Sequence, residues 1–418
     1  MAGVLAPTID AAPPPPPAPA REVREARGDE VQAAWALQRE AFNLTEGSLP
    51  LSEPQGRRQE LRVVSHAGRV VSCLTLLHTR LSFHGTEIPM GGIRHVATHP
   101  EEQNRGYAGE LVRDSLQRMS AQGMPLSVLF PFSFRYYRKF GYELGGNHCH
   151  FWCRPNCIPA YTERRLTRRA TPEDLEPLFD YCARRAAART CSLPRHPLHW
   201  QALAGDPRVR LTLYGEGVME GYLVTEETRD SYGGRVMKVL EVAASSRRAW
   251  RALLGTLAQA QVESIEWNAS AEDLQASGLL RSAAPLREGF KPRAIVTVRP
   301  MFQIRVTNVA EALQARAAGF PVGPYRLALR IQDDLIRDNN DPVALHATGS
   351  GVTVRRARPS DPYLKLDVRS FSQVFCGYLS IADAVSQELA QASSPAALET
   401  AELLFPAGDP FLSELDRF

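Results

Sequence analysis

Between Gln103 and Gly109 the chain reads QNRGYAG, directly before an amphipathic stretch. Helix starts favour Ser, Thr, Asp or Asn and need no glycine. A turn carrying Gly106, Ala108 and Gly109 at a helix mouth leaves backbone N–H groups bare. A helix N-terminus carries roughly half a positive charge and several unpaired donors, which together make an anion site. The N–H groups of Asn104, Arg105, Gly106, Tyr107, Ala108 and Gly109 would face the anion, Arg105 adds charge, and a pyrophosphate fits. A plain loop with convenient glycines explains the same residues when they are taken alone. Some thirty residues later comes RYYRKFGYEL, an aromatic-rich short helix ending at Phe140, Gly141 and Tyr142. A third cluster, NHCHFWCRPNC, holds His148, Cys149, His150, Cys153 and Cys157. Its spacing fits no common zinc template. Read as a strand, it turns Cys149 and Cys153 away from His148 and His150, so ordinary strand packing is expected and no metal.

The elements that must position these residues fall into three segments. The first runs from about Arg21 to Cys157. GDEVQAAWALQREAF spaces Val31, Trp35, Leu37 and Phe42 for a helix, with Asp29 as its cap. A strand meander follows from Leu61 to Thr98, with turns at SHAG and FHGTE. The helix after Gly106 buries Ala108, Leu111, Val112, Leu116 and Met119. LSVLFPF is a strand, SFRYYRKF a short helix, and GYEL a strand. The second segment, about Ile158 to Val298, opens with a helix capped by Thr171, Pro172 and Asp174. It repeats the element order of the first, which points to an internal duplication. Where copy one has VATHPEEQNRGYAGE, copy two has VAASSRRAWRALLG, with no glycine at the helix mouth. A ligand held there by the first copy has no counterpart in the second. The third segment, about Arg299 to Phe418, pairs RPMFQIRV with a helix. PYRLALRIQDD, PVALHATGSGVTVRRA and YLKLDVRSFSQVFCGYL read as strands, and SIADAVSQELA as a helix. The whole is an α+β chain.

Composition narrows the function. The 418 residues are 44% hydrophobic and 23% charged, ordinary for a globular protein. The net charge, 49 − 46 = +3, gives no argument for nucleic acid. No apolar stretch is long enough to span a bilayer. Residues 1–20 are Pro- and Ala-rich, lack a basic start, and read as a disordered tail rather than a signal peptide. Seven cysteines do not make a disulfide scaffold, and a reducing cytoplasm is the expected setting.

With both motifs in view, the chain resembles the GNAT superfamily of acyl-CoA-dependent N-acyltransferases. The pattern Gln/Arg-x-x-Gly-x-Gly/Ala reads here from Gln103 to Ala108, and YYRKFGY matches the second GNAT pattern. In layout it resembles the Eis-type (enhanced intracellular survival) acetyltransferases: an active GNAT domain, a degenerate GNAT domain and a sterol-carrier-protein-like domain. The resemblance covers nearly everything after residue 20. It implies acetyl-CoA as co-substrate in the first segment, with the strand end Val96, Ala97 and Thr98 along the pantetheine. Asn104 to Gly109 would hold the pyrophosphate, and Phe132 and Ser133 would lie beside the pantetheine on the next strand. It implies Tyr137 as general acid, with Tyr136 as the alternative, and the α-carboxylate of Phe418 as base. The Val96 N–H is the candidate oxyanion donor. The acceptor would be a polyamine, an aminoglycoside-like molecule or a lysine side chain, and the assembly a homo-oligomer, a hexamer in the family. A longer-chain acyltransferase and a non-enzymatic lipid-binding or scaffold protein are the alternatives.

Overall fold

The computed structural model describes residues 21–44, 57–83, 85–215, 217–283 and 294–418; the tail expected over residues 1–20 lies outside them. The first unit contains β1 (Arg21–Glu25), α1 (Asp29–Phe42), β2 (Gln59–His66), β3 (Arg69–Phe83), β4 (Thr86–Thr98), α2 (Tyr107–Ala121), β5 (Leu126–Leu129), α3 (Phe134–Arg138) and β6 (Glu143–Cys153). The meander is local and antiparallel. Ala67 and Gly68, both at positive φ, make the two-residue turn from β2 to β3. Helix α2 forms because Leu111, Val112, Leu116 and Met119 recur at helical spacing, and all four are fully buried. Helix α1 departs from expectation. Gly28 occupies the N-cap, and Asp29 is the first helical residue. Its buried face is Ala34, Leu37 and Gln38, whereas Trp35 and Phe42 are exposed.

The second unit contains β7 (Thr167–Arg169), α4 (Leu175–Ala188), β8 (Thr190–Ser192), α5 (Pro197–Gly205), β9 (Val209–Tyr214), β10 (Gly221–Arg229), β11 (Arg235–Ala244), α6 (Arg247–Leu257), β12 (Ser264–Ala269), α7 (Ala271–Ser277), α8 (Leu279–Ala283) and β13 (Ala294–Val306). The two units share one sheet, ordered β1-β2-β3-β4-β5-β13-β6-β12-β11-β10-β9-β7. Two neighbouring pairs in it are parallel. Strand β4 meets β5 from Met90↔Leu126 to Ile93↔Leu129, and β11 meets β12 from Val236↔Ser264 to Val239↔Trp267. The last strands of the two copies are exchanged: β6 leaves the first copy to pair with β12, and β13 leaves the second to pair with β5. Strand β13 runs through position 298, so the RPMFQIRV stretch read as part of the third segment lies in the shared sheet.

The third unit contains α9 (Val309–Arg316), β14 (Arg326–Gln332), β15 (Val343–Thr348), β16 (Gly351–Arg356), β17 (Tyr363–Asp367), α10 (Val368–Cys376), α11 (Ile381–Ser386), β18 (Ala390–Ala392) and α12 (Pro395–Leu404). Its sheet order is β16-β15-β14-β17-β18. Here one expected strand is half helix. After β17 the Asp367 carboxylate accepts the Ser370 N–H at 2.8 Å, an N-cap. Val368, Phe371, Val374 and Phe375 then bury one helical face. Phe302, Ile304 and Val306 of β13 pack in the same core as Phe371 and Phe375, which fixes the third unit to the shared sheet.

Candidate active site

The site is built at the open end of the β4–β5 pair. Thr75 pairs with Arg94 and Cys73 with Ala97, so His95 and Val96 together oppose Leu74 in a bulge. His95 takes φ +49°, and the Gln38 amide donates to its carbonyl at 3.1 Å. The Ser72 hydroxyl donates to the Ala97 carbonyl at 2.9 Å and lies 2.8 Å from the Thr98 hydroxyl. Pairing with β5 stops at Ile93 and Leu129. Val96, Ala97 and Thr98 therefore lie past the last paired residue, where the two strands separate.

At the mouth of α2, Asn104 and Gly106 both take left-handed backbone, with φ of 64° and 85°. A Cβ on Gly106 would meet nothing within 4 Å, so glycine there serves the backbone conformation and leaves the approach open. The first helical bond runs from the Glu110 N–H to the Gly106 carbonyl at 3.1 Å, and no side chain caps the helix. The N–H groups of Tyr107, Ala108 and Gly109 are left without helical partners. Arg105 pairs with Glu102 at 2.9 Å. The Tyr107 ring is buried beneath the Arg21 guanidinium, 4.2 Å from the ring centre, so only its main chain can face a ligand. Ala108 is half-buried. A Cβ on Gly109 would stand 3.3 Å from the Phe140 ring and 3.7 Å from the Tyr136 hydroxyl, so the two motifs meet here.

The equivalent helix mouth of the second unit is closed. Ser246 caps α6, accepting the Ala249 N–H at 3.1 Å, and its hydroxyl donates to the Glu220 carboxylate at 3.0 Å. The donor that an anion would use is taken, and a negative charge stands beside it.

Phe132 and Ser133 do not lie on a strand, contrary to expectation. Strand β5 stops at Leu129, because Pro131 has no N–H to continue a ladder. Phe132 is 71% exposed, and Ser133 caps α3, accepting the Tyr136 N–H at 3.3 Å. Tyr137 is buried among the rings of Tyr136, Phe132 and Tyr142, with centroids 5.1, 5.3 and 6.1 Å away. Burial pushes its phenol above the usual value, and Tyr142 and Tyr136 add to the effect. Tyr137 therefore holds its proton at neutral pH. Tyr136 is half-buried, and burial raises it too, with Arg113 opposing. Tyr142 lies 2.6 Å from the Ser127 hydroxyl, which donates to the Gly91 carbonyl at 3.0 Å.

The C-terminus enters the same gap. A Cβ on Gly92 would fall 2.5 Å from Cε2 of Phe418, so the ring lies flush against β4 just before the strands part. The Phe130 ring, first residue of the separating chain after β5, packs edge-on against Phe418 at 5.4 Å. On the opposite face of β4, Gly91 admits the Met119 side chain. Gly92, which sequence reasoning passed over, is the position that admits the Phe418 ring. Its signal was two glycines inside a strand, which mark a close approach.

The His and Cys residues of β6 separate by strand alternation. Cys149 and Cys153, with Cys157 in the turn after the strand, pack toward the core of the second unit, and burial pushes the Cys153 thiol up to about 12. His148 and His150 face the other way, and the His150 ring lies 3.0 Å from the Asn268 amide oxygen. Among the described residues, no three His, Cys, Asp or Glu side chains are grouped for a metal ion.

Residues 22–145 match the family described as acetyltransferase (GNAT) domain, and residues 191–306 match a second family of that description. Residues 309–413 match the sterol carrier protein domain. A comparison with the curated proteins finds no match. Among solved structures, a GCN5-related N-acetyltransferase from Anabaena variabilis is 23% identical, with a TM-score of 0.80, covering 96% of this chain and 100% of its own. A probable N-acyltransferase from Enterococcus faecalis is 20% identical (TM-score 0.77) and Eis1 from Mycobacterium abscessus 21% (0.71), each with the same coverages. Two GNAT domains followed by a sterol carrier protein domain, one with an open helix mouth beside a parted strand pair, make this chain an acyl-CoA-dependent GNAT N-acetyltransferase of the Eis-type layout.

Proposed function

We propose that the protein transfers acetyl from acetyl-CoA to a primary amine by direct attack within a ternary complex, in the first GNAT domain. The observation that carries this reading is the Phe418 ring seated on Gly92 and Phe130, at the point where β4 and β5 part. The main chain of Asn104 to Gly109 receives the pyrophosphate, and Val96 to Thr98 run along the pantetheine. Phe132 and Ser133 flank it from the loop after β5. An alkylammonium with pKa of about 10 must lose a proton before it can attack. The Phe418 α-carboxylate takes that proton, directly or through a water. The amine nitrogen bonds to the thioester carbon, and the Val96 N–H stabilises the oxyanion. The C–S bond breaks, the Tyr137 hydroxyl protonates the departing thiolate, and the second proton shed by the attacking nitrogen returns to the Tyr137 phenolate. No covalent enzyme intermediate is required.

The acceptor class is a polyamine, an aminoglycoside-like molecule or a lysine side chain. The same reading makes the protein a cytoplasmic homo-oligomer, a hexamer by its Eis-type layout. No helix among the described residues is long and apolar enough to cross a membrane. Thiol release from acetyl-CoA, followed across spermidine, kanamycin and a lysine peptide, tests the reading. Turnover with at least one amine is expected. Tight acetyl-CoA binding with no thiol release on any amine would favour a binding or scaffold role, and faster turnover with long-chain acyl-CoA would favour the longer-chain alternative.

A further inference from the structure

The second GNAT domain has lost its helix mouth, yet the C-terminal tail is bound to the same place in it that it reaches in the first domain. After the last parallel pair the next residue is Phe130 in one copy and Asn268 in the other. The tail touches both. The Phe418 ring packs on Phe130, and the Asn268 amide donates to the Glu414 carboxylate at 2.9 Å. Strand β11 carries a bulge here as β4 does: Val224 pairs with Glu241 and Thr225 with Val239, leaving Leu240 extra. The bulge presents Glu241 to Arg195. That guanidinium forks onto both Glu241 oxygens at 2.8 and 2.6 Å, and its Nε donates to Asp416 at 2.8 Å. Its carbon lies 5.2 Å from the Trp200 ring centre, and all three charged side chains are nearly removed from solvent. Beside them Leu415 is buried in the core of the second domain.

We propose that the second GNAT domain is the anchor of the catalytic tail, and that Arg195 is the positioning residue that sets where the terminal carboxylate lies. Asp416 is two residues from Phe418, a span of at most about 7 Å. A carboxylate on so short a tether inherits the placement of the clamp. Arg195 suits this task because a planar fork can hold two carboxylates in fixed directions. The duplicated strand gap, with no open helix mouth beside it, has become a dock for the chain's own end. The inference rests on the Phe418 carboxylate acting as base.

The test compares wild-type protein with Arg195→Met, Arg195→Lys and Asp416→Asn. The Asn variant keeps the side-chain volume and an acceptor, so it keeps the fold if Arg195→Met does not. Two readouts are taken. The first is release of Phe418 by a carboxypeptidase that removes C-terminal aromatic residues, timed by intact mass. The second is kcat and KM for acetyl-CoA. Arg195→Met and Asp416→Asn are expected to lose Phe418 at least about tenfold faster. Their kcat should fall about 10- to 100-fold with KM for acetyl-CoA unchanged, in line with a misplaced catalytic group, and Arg195→Lys should recover part of both. Wild-type Phe418 release and wild-type kcat in folded Asp416→Asn would overturn the proposal. Should a C-terminally extended enzyme prove fully active while Phe418 release is still accelerated in the variants, the anchor stands and the terminal-base reading falls.

Discussion

Replacing Gly92 by alanine adds one methyl group at the contact between β4 and the C-terminal ring. The added Cβ would lie 2.5 Å from Cε2, 2.8 Å from Cζ and 3.1 Å from Cδ2 of Phe418. An ordinary contact begins at 3.4 Å, so the ring must retreat by about 3.4 − 2.5 = 0.9 Å. Strand β4 cannot yield instead, because it is hydrogen-bonded to β3 on one side and β5 on the other at this position. The chain end is the free partner. A displacement near 1 Å in a reacting group can cost roughly 10²-fold in rate. The stability cost belongs at or below the low end of the usual 1–3 kcal/mol for overpacking, since the terminus can move. Gly92→Ala is therefore expected to melt near wild type, bind acetyl-CoA normally by calorimetry, and release thiol about a hundredfold more slowly. Phe418→Leu shortens the intruding ring. In the double variant the two losses should add to less than their sum, the mark of residues in contact. A folded Gly92→Ala enzyme with wild-type kcat would refute the placement of the tail.

Three further outcomes follow, two from the site and one from a buried charge cluster on β2. Gly106→Asp puts a carboxylate into the open helix mouth and should abolish acetyl-CoA binding with the fold kept; calorimetry on the wild type should find one site per chain, and two equivalent sites would contradict the closed mouth at Ser246. Tyr137→Phe should lower kcat by roughly 10²–10⁴ with acetyl-CoA affinity unchanged, and the same loss in Tyr136→Phe alone would shift the acid by one residue. Glu60 is buried against Arg118 at 2.7 Å and His78 and Arg58 at 2.8 Å. Burial alone would raise its carboxyl, but Arg118, His78 and Arg58 together hold it below its ordinary value of 4.5. A depressed carboxyl stabilises the fold above its unfolded pKa and loses that contribution as the pH falls. The melting temperature of wild type should drop as the pH falls below 4.5, and Glu60→Gln should flatten that dependence.

What could be read from the sequence was what is local. The β2–β3–β4 meander, α2 and the QNRGYAG turn each follow from neighbours along the chain, and the duplication followed from their order. The exchange of β6 and β13 did not, because Gly146 and Phe302 pair across more than a hundred and fifty residues and no local pattern records it. Helix α10 reads locally as strand because VRSFSQVFC is rich in Val and Phe; its Asp367 cap and the spacing of Val368, Phe371 and Phe375 are what specify the helix. The strand through Phe132 failed at Pro131, a breaker visible in the sequence. Tyr137 and Phe418 came from family resemblance, and the packing that brings Phe418 to Gly92 is tertiary.

The proposed mechanism stands or falls on the Phe418 α-carboxylate as base. The direct measurement is thiol release by the native enzyme and by one with a few residues appended after Phe418, assayed across pH. The appended chain turns the terminal carboxylate into a neutral amide while leaving the Phe418 ring in the sequence. Both forms should bind acetyl-CoA equally, and the extended form should fail at transfer to amines. Equal turnover in the two would exclude the Phe418 carboxylate as the base.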